Sequence, residues 1–397
     1  MTVEKAIYLK PKKEVSILRR HPWVFSGAIR AIEGAVQAGD LVAVHANKGR
    51  LLGRGHYSPG ASIAVRMLTF NDEEVISQDW WNSKVRSAVD MRKQLGLLGG
   101  SDNSICRLLH AEGDGTSGLI VDYYDRVAVI QTHSAGMRKA LDSIQEALIH
   151  ALGKDLVGIY NKSAKLLRKL KIEAEDGWVF GAAPDDWKPL EYGGAFEIDI
   201  LLGQKTGFFV DQRENRALLG RLSEGKSVLN VFSYTGGFSV AALLGGATKV
   251  DSLDSSSRAL ELAHINAAAN GFGKDVHGCI EADAMEYLKS GVAGYDIVVL
   301  DPPAFAKSVS ARHKAVQGYK RINARALESM KPGSLLFTFS CSQAVDDRLF
   351  THTIISAAIQ AEREVQILHR LHQPPDHPVS AFHPEGSYLK GLVIRVN

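Results

Sequence analysis

The sequence predicts an α/β architecture in which a doubly wound, mostly parallel sheet follows a small all-β domain and a central α+β domain. Three observations carry this reading. From Leu190 onward, apolar runs of strand length alternate with stretches of helical spacing, the βα pattern of a Rossmann-like sheet. Residues 1–73 read instead as short strands between Gly and Pro turns. Residues 74–189 mix helical patterns with a hairpin. The expected domains are therefore 1–73, 74–189 and 190–397.

Each element has a local reason. In the first domain "AIYL", "DLVAVHA", "RLLGRGHY" and "SIAVRML" are strand-like. "NDEEVISQDWWNSKVRSAVDMRKQLGLLGG" opens on acids, keeps helical spacing and stops at paired glycines. "DGTSGLIVDYYDRVAVIQTH" reads as two strands about Tyr124-Asp125-Arg126, and "MRKALDSIQEALIHAL" as an amphipathic helix. Then come the strands "SVLNVF", "KVDSLD", "VHGCIEAD", "DIVVLD", "GSLLFTFS", "EVQILHRL" and "KGLVIRVN". Helical stretches separate them, among them "GGFSVAALLGG" and "SSRALELAHINAAANG".

Composition narrows the class. The chain has 397 residues, enough for two or three domains, and no apolar run of membrane-spanning length. Its N-terminus, "MTVEKAIYLKPKKEV", lacks the apolar centre of a signal peptide. Cys106, Cys279 and Cys341 are too few and too scattered for a disulfide framework or a zinc site, so no metal is expected. A reduced, cytoplasmic protein follows, with no membrane partner. The net charge of +3 is uneven. Residues 1–70 hold eleven Lys/Arg against four acids, and the remainder 36 against 40. A basic first domain suits a polyanion such as RNA, and a solvated basic face accounts for the same numbers.

Sheets of this kind bind ligands beyond the carboxyl ends of their strands. Three acids stand there: Asp254, Asp283 and Asp301. Asp254 lies 18 residues after Gly236, where an acid accepts from ribose hydroxyls, and Asp283 could accept from an adenine amino group. Singly, each acid is more simply a helix N-cap; three at successive strand ends favour a nucleoside pocket. The first turn, "NVFSYTGGFS", is neither G-x-G-x-x-G nor a P-loop. A nucleoside without a phosphate cradle points to S-adenosylmethionine rather than NAD.

Cys341 directly follows the strand expected beside the one ending in Asp301. With adjacent strands about 4.8 Å apart, thiol and carboxylate would face one crevice within ~10 Å. For Cys106 and Cys279 a buried structural cysteine is the better reading. A thiol beside a methyl donor suits a pyrimidine, because addition at C6 turns C5 into a nucleophile. Asp301 would touch the base edge, while Pro302 and Pro303 stiffen the wall beside it. Phe305 reads equally as a stacking surface for an extruded base or as core packing. Lys307 is a candidate RNA contact.

These residues resemble the bacterial RlmI-like family of 23S ribosomal RNA large-subunit 5-methylcytosine methyltransferases, over essentially the whole chain. "RRHPWVFSGAI" and "GRGHYSPGASIAVRML" resemble its N-terminal PUA domain, an RNA-binding β module. "LLGQKTGFFVDQRENR" resembles the entry to its methyltransferase domain. "NVFSYTGGFSV", "DPPAFAKS" and "SCSQ" resemble its cofactor, substrate and nucleophile motifs, and "EGSYLKGLVIRV" its C-terminal hairpin. The resemblance implies Cys341 as nucleophile and Asp301 as the substrate-strand acid. It implies S-adenosylmethionine contacts from Gln212, Arg213, Phe232, Tyr234, Gly236, Asp254, Ser255, Asp283, Ala284 and Asp301, and RNA contacts from Pro302, Phe305 and Lys307. The implied partner is 23S ribosomal RNA, naked or in a partly assembled large subunit, and a homodimer is left open. Many RNA 5-methylcytosine enzymes outside this family carry a second cysteine after the motif prolines, where Ala304 stands here. Methylation of an exocyclic amine or ring nitrogen, or an inactive RNA-binding assembly factor, are the competing readings.

Overall fold

The computed structural model describes residues 5–306 and 308–397. The chain forms two compact units. One takes the chain up to Pro189 together with Ile198–Val210 and Pro375–Gly386. The other takes Leu190–Glu197, Asp211–Pro374 and Ser387–Asn397.

The first unit carries two sheets. The six-stranded one runs in the order Trp23–Phe25, Ile63–Thr69, Leu51–Tyr57, Leu41–His45, Ala6–Leu9, Ile29–Glu33. Its inward residues, among them Ile7, Leu9, Val42, Val44, Val65 and Met67, form one core. The five-stranded sheet is built on the expected hairpin, Leu119–Tyr124 against Val127–Thr132. Asp125 and Arg126 both adopt positive φ, 38° and 67°, the geometry that lets a two-residue turn follow the strand twist. The acids Asp72–Glu74 precede the helix rather than opening it. Helix Gln78–Gln94 is capped by Ser77, whose side chain accepts from the Trp80 amide. The stretch expected as a single helix after His133 breaks at Ala140 into Ala135–Lys139 and Leu141–Leu152. Pro375–Gly386 is threaded onto this unit by charge. Fully buried Arg92 forks onto Asp114 at 2.7 and 2.8 Å and donates to the Asp376 carbonyl at 2.7 Å, while the Asp376 carboxylate accepts from the Arg107 amide at 2.8 Å.

The second unit comprises α1 (Arg213–Arg221), β1 (Ser227–Val231), α2 (Gly237–Leu244), β2 (Lys249–Asp254), α3 (Ser257–Ala269), β3 (His277–Glu281), α4 (Ala284–Lys289), β4 (Ile297–Leu300), α5 (Arg312–Ser329), β5 (Leu335–Ser340), α6 (Asp347–Gln360), β6 (Val365–His372) and β7 (Lys390–Val396). The sheet order is β3-β2-β1-β4-β5-β7-β6. β1 to β5 are mutually parallel and β7 runs antiparallel to both its neighbours. Helices on both faces explain why β4 is apolar throughout. Val298 and Leu300 pack with Tyr319, Ile322 and Leu327 on one side, and Ile297 and Val299 with Phe238 and Phe339 on the other.

The expectation for two of the cysteines divides. Cys106 is fully buried, as expected. Cys279 is not: it lies exposed on the edge strand β3, which has a neighbour on one side only. Its sulphur turns back toward the Leu260 carbonyl at 3.5 Å, and burial of that end raises the thiol's pKa.

Candidate active site

Most of the residues singled out in the second unit lie at or just after the carboxyl ends of β1, β2, β3, β4 and β5, while Gln212 and Arg213 lie at the start of α1. The turn after β1 is held in an unusual conformation. Phe232 and Tyr234 both have positive φ, 61° and 46°, costly for bulky side chains and therefore maintained by their surroundings. Gly236 has φ 77°, and a Cβ there would come within 2.9 Å of the Ala263 side chain. Only glycine meets both conditions, so the loop can pass close over α3. Phe232 packs on the core, leaving Tyr234 partly exposed at the strand ends.

Asp254 anchors this loop. Its Oδ2 accepts from the Tyr234 amide at 2.9 Å and its Oδ1 from the Ser256 amide at 3.0 Å. It is not the cap of α3; Ser256 is, accepting from the Ala259 amide. Each Asp254 oxygen has a second acceptor position, which suits a vicinal diol. Asp283 does cap its helix: Oδ1 accepts from the Glu286 amide at 3.0 Å, and the residue is exposed. Ala284, the first residue of α4, is buried, and Ser255 is exposed. Gln212 and Arg213 are buried at the start of α1. Gln212 accepts from the Asn215 side chain at 2.6 Å. One turn on, Arg216 forks onto buried Glu191 at 2.6 and 2.7 Å and lies against Gly237. The residues thus fit a nucleoside cofactor: diol acceptors at β2, an exposed carboxylate at β3 and a glycine-closed turn at β1.

Among the described residues the first helical turn after Asp301 is the 3-10 turn Val309–Ala311, which leads into α5, so the capping role does not apply to Asp301. Leu300 pairs with Thr338, which sets Asp301 and Cys341 two residues apart in level on neighbouring strands, roughly 8 Å between Cα atoms. Cys341 is half-buried. Pro302 is buried and Pro303 exposed. Phe305 packs one side on Tyr319, ring centroids 4.7 Å apart, and remains 36% exposed. Lys307 lies outside the described residues.

Three residues absent from the sequence reading complete the site. Ser342 Oγ accepts from the Ala306 amide at 3.2 Å and lies 2.9 Å from the Tyr319 hydroxyl. It thereby ties the loop after β4 to the loop after β5. Burial raises the pKa of the Tyr319 phenol, keeping it a donor. Lys390, at the start of β7, is 4% exposed and donates to the Ser342 carbonyl at 2.9 Å. Its only sequence signal was membership of the "SYLKG" stretch.

Comparison with known proteins decides the class. Residues 126–395 match the model of the S-adenosylmethionine-dependent methyltransferase family, and residues 7–70 that of the PUA-like domain. A protein of Shewanella denitrificans named "Ribosomal RNA large subunit methyltransferase I" is 41% identical, covering 98% of this chain and 99% of its own. A protein of the same name from Photobacterium profundum is 39% identical with the same coverage. The chain belongs to the ribosomal RNA large subunit methyltransferase I family. Its methyltransferase domain uses S-adenosylmethionine. Among solved structures, "A putative sam-dependent methyltransferase from Streptococcus mutans" shares the fold with a TM-score of 0.83 at 22% identity, covering 99% of this chain and all of that one. A second structure with the same score is "Crystal structure of SMU.776, a putative methyltransferase complexed with SAH". Among the described residues no helix is long and apolar enough to cross a membrane.

Proposed function

We propose that this chain methylates C5 of a cytosine in 23S ribosomal RNA, in the cytoplasm, through a covalent bond from Cys341 to C6 of the base. The observation that supports the reading is the β4–β5 register: the half-buried Cys341 follows β5 two residues beyond the level of Asp301, which follows β4. The names of the relatives support ribosomal RNA as the substrate, and the PUA-like domain supports RNA binding.

S-adenosylmethionine supplies an electrophilic methyl group on a sulfonium. The protein's part is to make C5 nucleophilic. The Cys341 thiolate adds to C6, and the ring becomes an enamine whose charge Asp301 helps to accommodate at the base edge. C5 takes the methyl group, C5 loses its proton, and the S–C6 bond breaks to restore the ring. Ala304 carries no acid–base group, so another group takes that proton. Phe305 offers its exposed side to the extruded base.

RNA carrying 5-fluorocytosine has no C5 proton to lose, so the wild type should stall as an adduct that survives denaturing electrophoresis and maps to Cys341. Cys341→Ala should bind cofactor and RNA yet transfer no methyl group. Substantial turnover by Cys341→Ala would overturn the covalent mechanism and favour methylation of an amine or ring nitrogen.

A further inference from the structure

We propose that Lys390 is a positioning residue that holds Cys341 as a thiolate, its buried ammonium facing the turn that carries the sulphur. This rests on Cys341 being the nucleophile. A cysteine thiol ordinarily titrates near 8.5, so at neutral pH something must favour the charged form.

The placement follows from the sheet. Lys390 opens β7 and pairs with Ser340, the last residue of β5, immediately before Cys341. Its side chain runs alongside the "SCS" turn and ends on the Ser342 carbonyl. Among the described residues no carboxylate lies within ion-pair distance of the ammonium, although it is 4% exposed. A buried cation with one carbonyl partner is costly unless a negative charge arises nearby. A thiolate at Cys341 is such a charge, added to those of Asp347 and Asp346 at the start of α6. Burial pulls the Lys390 pKa down from the ordinary lysine range, and Asp347, Cys341 and Asp346 hold it up.

Among the described residues the same turn also has Arg312 of α5, whose Nε donates to the Ala344 carbonyl at 2.7 Å, and several acids and a phenol that do not favour a thiolate. Asp301 at the end of β4 and Asp346 and Asp347 at the start of α6 are acids, and the Tyr319 phenol on α5 is kept protonated. Lys390 supplies an opposing charge from β7, on the Ser342 carbonyl next to the thiol-bearing residue. When the thiol ionises its proton passes to solvent, while the ammonium keeps its own.

The test is the ionisation of Cys341 in the full chain without RNA or cofactor, read from the rate of iodoacetamide alkylation against pH in a Cys106→Ala, Cys279→Ala background. In Lys390→Met the midpoint should rise by about half a unit or more, slowing alkylation at neutral pH about threefold or more. Lys390→Arg should restore it. Coupling is reciprocal, so Cys341→Ala should lower the Lys390 titration midpoint, followed by carbon NMR of the lysine side chains, by the same amount. That second measurement decides the matter if Lys390→Met does not fold. An unchanged thiol midpoint in folded Lys390→Met, or an unchanged lysine midpoint in Cys341→Ala, overturns the proposal and leaves Lys390 as a strand tie. Neither titration involves methyl transfer, so failure here is distinct from turnover by Cys341→Ala, which would overturn the nucleophile.

Discussion

The Tyr319 hydroxyl and Ser342 Oγ lie 2.9 Å apart, and both are buried. Through this contact α5 holds the turn carrying Cys341, and through the Ala306 amide the same serine holds the loop after Pro302 and Pro303. The loops after β4 and β5 are thus fixed to each other by one hydroxyl.

Ser342→Ala should leave a buried amide and a buried phenol without this partner, at a cost of about 1–3 kcal/mol. Thermal unfolding would show the loss. Methyl transfer should fall further than S-adenosylmethionine affinity, because Asp254 and Gly236 are untouched. Equal loss of both would show that the serine does not act through the reactive loops.

Asp254→Ala should weaken S-adenosylmethionine binding about tenfold or more, since charge-assisted hydrogen bonds contribute roughly 1.5–3 kcal/mol. Part of the effect comes through the Tyr234 and Ser256 amides, which lose their acceptor. Calorimetry is the measurement, and unchanged affinity would remove Asp254 from the cofactor site.

RNA affinity should depend on Lys12, Lys13, Arg19, Lys48 and Arg50, which are exposed and, among the described residues, form no ion pair. Lys5 is held by Asp40 and Arg66 by Glu112. Replacing the five by Gln should lower the slope of log K against log salt by about 0.7 for each phosphate of single-stranded RNA that is no longer neutralised. Deleting residues 1–70 is the poorer test: Lys139 pairs with Asp40 at 2.7 Å and Gly136 packs on His56, so the cut would open the first unit.

Acid should destabilise the first unit above the carboxylate range. Burial, aided by Lys139, lowers the His56 pKa to about 4, and burial with Arg66 does the same for His133. Unfolded, each titrates near 6.5, so the unfolded chain binds protons that the folded chain does not. Their contribution is complete above pH 6.5 and declines as the pH falls toward 4, by on the order of 3 kcal/mol each at most. Unfolding midpoints between pH 7 and 4.5 should fall, and less so in His133→Gln. An identical pH profile in that variant would show that His133 is not responsible.

The sequence by itself determined the βα alternation, the strand ends bearing Asp254, Asp283 and Asp301, and the thiol after β5. These are local: apolar periodicity and the last residue of a run are readable within a window of ten or so residues. Only the tertiary structure decided that Asp283 caps a helix while Asp254 anchors the Tyr234 loop. It also decided that Cys279 sits on an open edge and that Phe305 leans on Tyr319. The buried cation at Lys390 belongs with these, as does the return of Pro375–Gly386 to Arg92 and Arg107. Asp376 meets the Arg107 amide across 269 residues, and Lys390 meets Ser342 across 48. No local pattern records such pairings, because hydrogen bonds and desolvation depend on what arrives beside a side chain, and that is set by sheet order and chain return.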